Sequence, residues 1–170
     1  ALTAVSLANA LLVGEENSDS NSKKYNLNLS GNSISLTAKN KMTGNTVANI
    51  SITGNLHSNA ANVYLGEKDD DRGVGIKVDG STKFDGGNVT LNNRAKIKEA
   101  KVTFNDLINT NNSNLTITGG PIYFNGDVTS DASMNIISKS HDLINWFPAG
   151  VIVKKHFNST GPLNITAKTG

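Results

Sequence analysis

Cysteine is absent from this 170-residue chain, so it can build neither a disulfide nor a thiolate metal site. A chain that must stay extended while crossing a membrane gains from having nothing to cross-link early. Aromatic residues make up only 5% and hydrophobic residues 36%, less than a conventional globular core holds. Charge does not fill the deficit. The net charge is +2, which lacks the disorder signature of high net charge and speaks against a nucleic-acid partner. Long apolar runs are missing too. The opening "ALTAVSLANALLVG" has no basic flank, is too short to span a bilayer and alternates in part, as a strand does, so no membrane insertion is expected. The space is filled by Asn, Ser and Thr among frequent Val and Ile. A polar, weakly charged chain of that kind reads as all-β, and its length suits one domain, residues 1–170.

One strand phrase recurs: "NISITG" from Asn49, "NVTLNN" from Asn88, "SNLTITGG" from Ser113 and "LNITAK" from Leu163. The first apolar residues of successive phrases are Ile50, Val63, Ile76, Val89, Val102, Leu115 and Val128, a constant interval of thirteen. An apolar partner follows two positions later at Ile52, Leu65, Val78, Leu91, Phe104 and Ile117, and only Ser130 fails the pattern. Alternate phrases match best, which gives a rung of about 26 residues with strands on two or three sides. One column stacks Val63, Val89 and Leu115; another stacks Ile50, Ile76 and Val102. A third, weaker strand is expected around Ile97 and Ile122/Phe124. A lone rung leaves its apolar residues in water. Stacked at roughly 4.8 Å per rung, they form a narrow continuous core and pair their backbones from coil to coil. A parallel β-helix accounts for the low apolar content, whereas an antiparallel sandwich, its rival, needs no fixed phase. The phase is lost across 131–162, an irregular span holding Trp146, His141 and His156, and both ends of the chain fall in strand phrases, so an internal fragment of a longer protein is expected.

The outward asparagines include seven in N-x-S/T triplets: Asn28, Asn49, Asn88, Asn111, Asn114, Asn158 and Asn164. Asn and Thr suit a solenoid wall by themselves, and the triplet also marks a sugar acceptor. The stretches "GNVTLNNRAKIKEAKVTFN" and "NTNNSNLTITGGPIYFNGDV" resemble repeats of the high-molecular-weight adhesins. These belong to the filamentous-haemagglutinin-like exoproteins that Gram-negative bacteria export by two-partner secretion. The resemblance runs in style from Asn26 to Gly170 and is most specific from Asp85 to Val128. It implies a right-handed β-helix, passage through an outer-membrane secretion pore, and a place on the bacterial cell surface in virulence. It also implies a cytoplasmic glycosyltransferase acting on the seven triplets and adhesion to host-cell glycans, sialylated ones among them.

A shift of about 26 residues lays "GEKDDDRG" over "NNRAKIKE" and that over "GGPIYFNG". Lys68 then lies beside Arg94, Arg72 beside Lys98, and Tyr123 is next, so the two arginines of the chain fall on one wall. Cations near an aromatic ring suit an acidic sugar, the carboxylate taking the guanidinium fork and the ring covering an apolar sugar face. Alternatively Asp69, Asp70 and Asp71 neutralise these cations in a solvated ladder. Trp146, beside Phe147 in the irregular span, is a second candidate for stacking on sugar, or a core residue in a wider rung. His141, Lys155 and His156 could add charge in mild acid. The run "DDD" lacks the every-second-residue spacing of a calcium loop, and no metal or other cofactor is expected. Enzymatic β-helices need carboxylates clustered on one wall, and Asp85, Asp127 and Asp131 do not superpose on Asp69–Asp71, so no catalytic residue is assigned. A host-glycan adhesin segment is the reading, with a purely structural shaft or a polysaccharide-degrading enzyme as alternatives.

Overall fold

The computed structural model describes residues 2–6, 10–13, 24–38, 48–67, 73–93, 100–140 and 150–169. These residues form strands and no helix, in an 11-stranded and a 6-stranded sheet whose pairings are all parallel. Lys68, Asp69–Asp71, Arg72, Arg94, Ile97, Lys98, His141, Trp146 and Phe147 lie outside the described residues.

The chain winds as a parallel β-solenoid with three strand walls. Wall one stacks Ile34, Val63, Val89, Leu115, Met134 and Leu163 in register. Wall two stacks Ile50, Ile76, Val102, Ile122 and Val151. Wall three stacks Leu27, Leu56, Thr82, Ile108, Val128 and Phe157. The repeat of 26 residues holds from Ile50 to Val102 on wall two and from Val63 to Leu115 on wall one.

The third wall is not where the sequence put it. Ile122 and Phe124 continue wall two, while the third wall lies six residues after the stacked residues Ile50, Ile76 and Val102 of wall two, at Leu56, Thr82 and Ile108. The interval of thirteen therefore has two origins. From wall two to wall one it is a step of six followed by one of seven, and from wall one back to wall two it is the long connection. After Leu115 the return shortens to Gly119, Gly120 and Pro121, and Val128 keeps the interval yet lands on wall three beside Ile108. The rung step there is 20 residues, not 26. Within 131–162 the described residues include strands at Met134–Ser140, Val151–Val153 and Phe157–Ser159, each in register with the rung before it. The rung step there is 29 residues, and 141–149 of that span lie outside the described residues.

Side chains explain why the third wall is hard to read. Its second inward position carries Ser58, Phe84, Thr110, Ser130 and Ser159 in successive rungs. Where wall two is slim, at Val78, wall three supplies Phe84. Where wall two carries Phe104 and Phe124, wall three supplies Thr110 and Ser130. The two hydroxyls satisfy each other in the core: Thr110 Oγ1 donates to Ser130 Oγ at 2.7 Å, and Ser130 donates to the Ala132 carbonyl at 3.0 Å. Ser130 is thus a small, hydrogen-bonded partner to a large ring.

Walls three and one share a sheet because strands Thr82–Asn92 and Ile108–Gly119 run through the corner between them. Gly86 and Gly87 take that corner at φ of 84° and 81°, and a Cβ on Gly87 would collide with the Ala60 carbonyl oxygen of the preceding rung. One rung on, Asn112 makes the turn at φ of 51°, the left-handed conformation that asparagine tolerates.

Asparagine has a further reason to recur on the outside. Asn88 donates its amide to Asn62 Oδ1 at 3.4 Å, and Asn114 donates to Asn88 Oδ1 at 3.2 Å. At the corner between walls two and three, Asn105 donates to Asp79 at 2.6 Å and Asn125 to Asn105 at 2.7 Å. An amide is both donor and acceptor, so identical residues one rung apart can pass a hydrogen bond up the stack without limit.

Candidate functional site

The corner from wall one back to wall two absorbs nearly all variation in rung length. The sequence between walls one and two runs through residues 7–9, 39–47, 68–72, 94–99 and 141–149 in five rungs, and only Gly119–Pro121 in the rung of 20 residues. Buried polar groups close its base. Tyr64 Oη donates to the Glu67 carbonyl at 2.6 Å, and the Glu67 amide donates to the Asn92 carbonyl at 2.9 Å. Asn93, fully buried, donates through Nδ2 to the Ala100 carbonyl at 2.7 Å and accepts the Gly120 amide at 3.0 Å. Ser138 donates to the Gly120 carbonyl and accepts the Gly150 amide, both at 2.8 Å. Each long connection therefore leaves from and returns to a fixed frame. Connections between the elements of a rigid scaffold are where binding residues are usually found.

Lys68, Arg72, Arg94, Lys98 and Trp146 belong by sequence to these connections and lie outside the described residues. Tyr123 is described, and its place differs from the one a uniform shift of 26 gives. It stands on the outer face of wall two in register with Thr103 and Ile152, because the preceding rung is short. The Lys101 ammonium lies 5.8 Å from the centre of its ring, a cation–π contact. Tyr123 and Lys101 thus form an aromatic–cation pair on the flank of the corner.

The seven triplet asparagines are all described. Asn28, Asn88, Asn111, Asn114, Asn158 and Asn164 are exposed, and Asn49 is half-buried. Asn88, Asn114 and Asn164 spend Nδ2 protons on amide ladders, the last donating to Asn135 Oδ1 at 2.7 Å. The composition that makes the triplet also makes the ladder, so these asparagines have a structural role whether or not they carry sugar.

Among the described residues no group of three or more metal-ligating side chains converges. The main charged cluster that sequence reading missed is on wall three, where Asp85 Oδ2 lies 2.8 Å from both His57 Nε2 and Lys83 Nζ. Only the rung register brings His57 and Lys83 side by side. The Lys83 ammonium holds the Asp85 carboxyl below the usual aspartate range; burial opposes this, and the His57 ring and Asn111 add to it. The unfolded chain thus takes up this proton first as the pH falls. The stability Asp85 contributes is complete above about pH 4, the ordinary aspartate value, and is lost as the pH drops through the lower folded-state value. Asp85→Asn is expected to flatten the fall of urea midpoint between mildly and strongly acidic pH, and parallel curves for parent and variant would contradict it. At the exposed corner of the later rungs, the His156 backbone amide and ring likewise hold Asp127 below its usual range, each at 3.1 Å.

The chain matches no family model, no curated protein and no solved structure.

Proposed function

We propose that this chain is a segment of a bacterial surface adhesin that binds host-cell glycans, acidic ones foremost, through the connections between walls one and two. The supporting observation is where the unusual residues fall. Both arginines and the tryptophan of the chain lie in connections that leave one corner of an otherwise regular stack, and the Tyr123–Lys101 pair flanks it. Arg72 and Arg94 supply guanidinium forks for a sugar carboxylate, Lys68 and Lys98 add charge, and Trp146 or Tyr123 covers an apolar sugar face. A solenoid without disulfides also suits export as an extended chain that folds rung by rung outside the cell, in keeping with a dedicated outer-membrane pore and a cytoplasmic glycosyltransferase as partners. The test is a glycan array with the parent and an Arg72→Ala, Arg94→Ala double variant. Binding to sialylated glycans that falls at least tenfold in the variant supports the reading. Binding by the variant equal to the parent removes the arginines from it.

A second reading has its own observation. One hydrophobic core column joins the stacked rungs, and amide ladders tie Asn62 to Asn114 and Asp79 to Asn125, which is what a spacer needs. An array on which the parent binds nothing favours that shaft.

A further inference from the structure

On the opposite side of the solenoid, where wall three turns into wall one, lies a groove of about 290 Å³. Asn109, Thr129 and Asn158 follow one another in register along the outer face of wall three and line it, together with Ser130, Asp131 and Thr160. Its lining residues all carry polar groups, with about as much apolar as polar surface exposed between them, and include no aromatic ring and no cation. The nearest cation in the same outward column is Lys83, in register with Asn109, and its ammonium is already held at 2.8 Å by Asp85.

We infer that this groove binds a neutral sugar ring. The chemistry of the lining selects that class. The Asn109 and Asn158 amides make no hydrogen bond among the described residues, and each offers two donors and an acceptor outward. Asp131 accepts the Asn112 backbone amide at 2.7 Å through Oδ1, which fixes its carboxylate and leaves Oδ2 to accept a hydroxyl. The Thr160 hydroxyl, donated to the Ser130 carbonyl at 3.3 Å, keeps its lone pairs for an incoming donor. A ligand that satisfies amide donors, a carboxylate acceptor and hydroxyl acceptors at rung spacing carries several vicinal hydroxyls. An acidic sugar would meet the Asp131 carboxylate with no cation to offset it. The volume is at the small end of ligand sites, fitting one ring and not a chain. Without an aromatic platform the affinity is millimolar, useful only when many copies act together.

The inference rests on the glycan-binding reading but uses a different wall, so the two can fail separately. One ligand chemistry has two sources here, because Asn158 heads the triplet Asn158-Ser159-Thr160 and a sugar on its own Nδ2 would occupy the groove in cis. The experiment uses the unmodified chain, titrated with methyl glucoside, methyl galactoside, N-acetylglucosamine and sialic acid, and read by backbone and side-chain amide NMR. Neutral sugars are expected to shift Asn109, Thr129 and Asn158 signals at millimolar concentrations, and sialic acid to leave them in place. Thr129→Arg, which fills the groove from a half-buried outward position, is expected to abolish the shifts. Asn109→Ala is expected to weaken binding about tenfold, as losing a direct hydrogen-bond partner does. A chain glycosylated at Asn158 is expected to show the bound-like shifts without added sugar and no response to more. Silence to every neutral sugar, or equal shifts in a folded Thr129→Arg variant, overturns the inference. Neither result touches the arginine test, whose ligand is sialylated and whose wall is elsewhere.

Discussion

Phe124→Ala is expected to lower the free energy of unfolding by about 3–5 kcal/mol. The ring is fully buried. It stacks on Phe104 at 5.8 Å with the planes 6° apart, and meets Phe157 edge-on at 5.9 Å and 78°. It therefore joins three successive rungs, and each aromatic pair adds about 0.5–1.5 kcal/mol beyond area burial. The cavity left by alanine cannot be filled from across the core, because Ser130 is small and is fixed by hydrogen bonds to Thr110 and Ala132. Closing the gap would mean breaking inter-rung backbone bonds on two walls. Phe124→Leu keeps most of the volume and is expected to cost about 1 kcal/mol. Urea unfolding followed by far-ultraviolet circular dichroism measures both. A cost near zero for alanine would show that the rungs do not interlock through these rings.

The second large effect is expected at Asn93, where alanine should cost about 2–4 kcal/mol. One buried side chain serves two buried backbone groups, donating to the Ala100 carbonyl and accepting from the Gly120 amide. Each group left without a partner costs about 1–3 kcal/mol. Asn93→Asp separates the two roles. The carboxylate still accepts from Gly120 but faces the Ala100 carbonyl with no proton to give, and it must also be buried as a charge. The aspartate variant is thus expected to be less stable than the alanine variant at neutral pH and to recover part of the difference in acid. An order reversed at pH 7 would mean that the site admits water. Asn93 also pins both ends of the connection that carries Arg94 and Lys98, so amide exchange from Ala100 to Lys101 should speed up in either variant.

The walls were legible in the sequence to different degrees, for identifiable reasons. Walls one and two announce themselves because their inward pairs, such as Val63/Leu65 and Ile76/Val78, are apolar in rung after rung. Wall three hides because its inward residues include Ser58, Thr82, Thr110 and Ser130, which no hydrophobic pattern detects. They are inside because facing walls share volume; hydrogen bonds satisfy the Ser58, Thr110 and Ser130 hydroxyls, whereas the buried Thr82 hydroxyl has no partner among the described residues. The short return at Gly119–Pro121 was also invisible to spacing, since Val128 happened to keep the interval. That coincidence moved Tyr123 from the connections to the outer face of wall two. The polar groove could not be anticipated either. Asn109, Thr129 and Asn158 are separated by steps of 20 and 29 residues, and only the register makes them neighbours.

The amide ladders bear on mechanics. Hydrogen bonds between rungs lie along the solenoid axis, both in the backbone and in the asparagine chains from Asn62 to Asn114 and from Asp79 to Asn125. A pull along that axis loads every bond between two rungs at once, so the interface yields only when all give way together. A pull across the axis on a single wall opens them one after another, as a zipper does. The stack is therefore stiff toward tension along its length and weak toward peeling, and the corner ladders, placed where peeling would start, are the stitches that delay it.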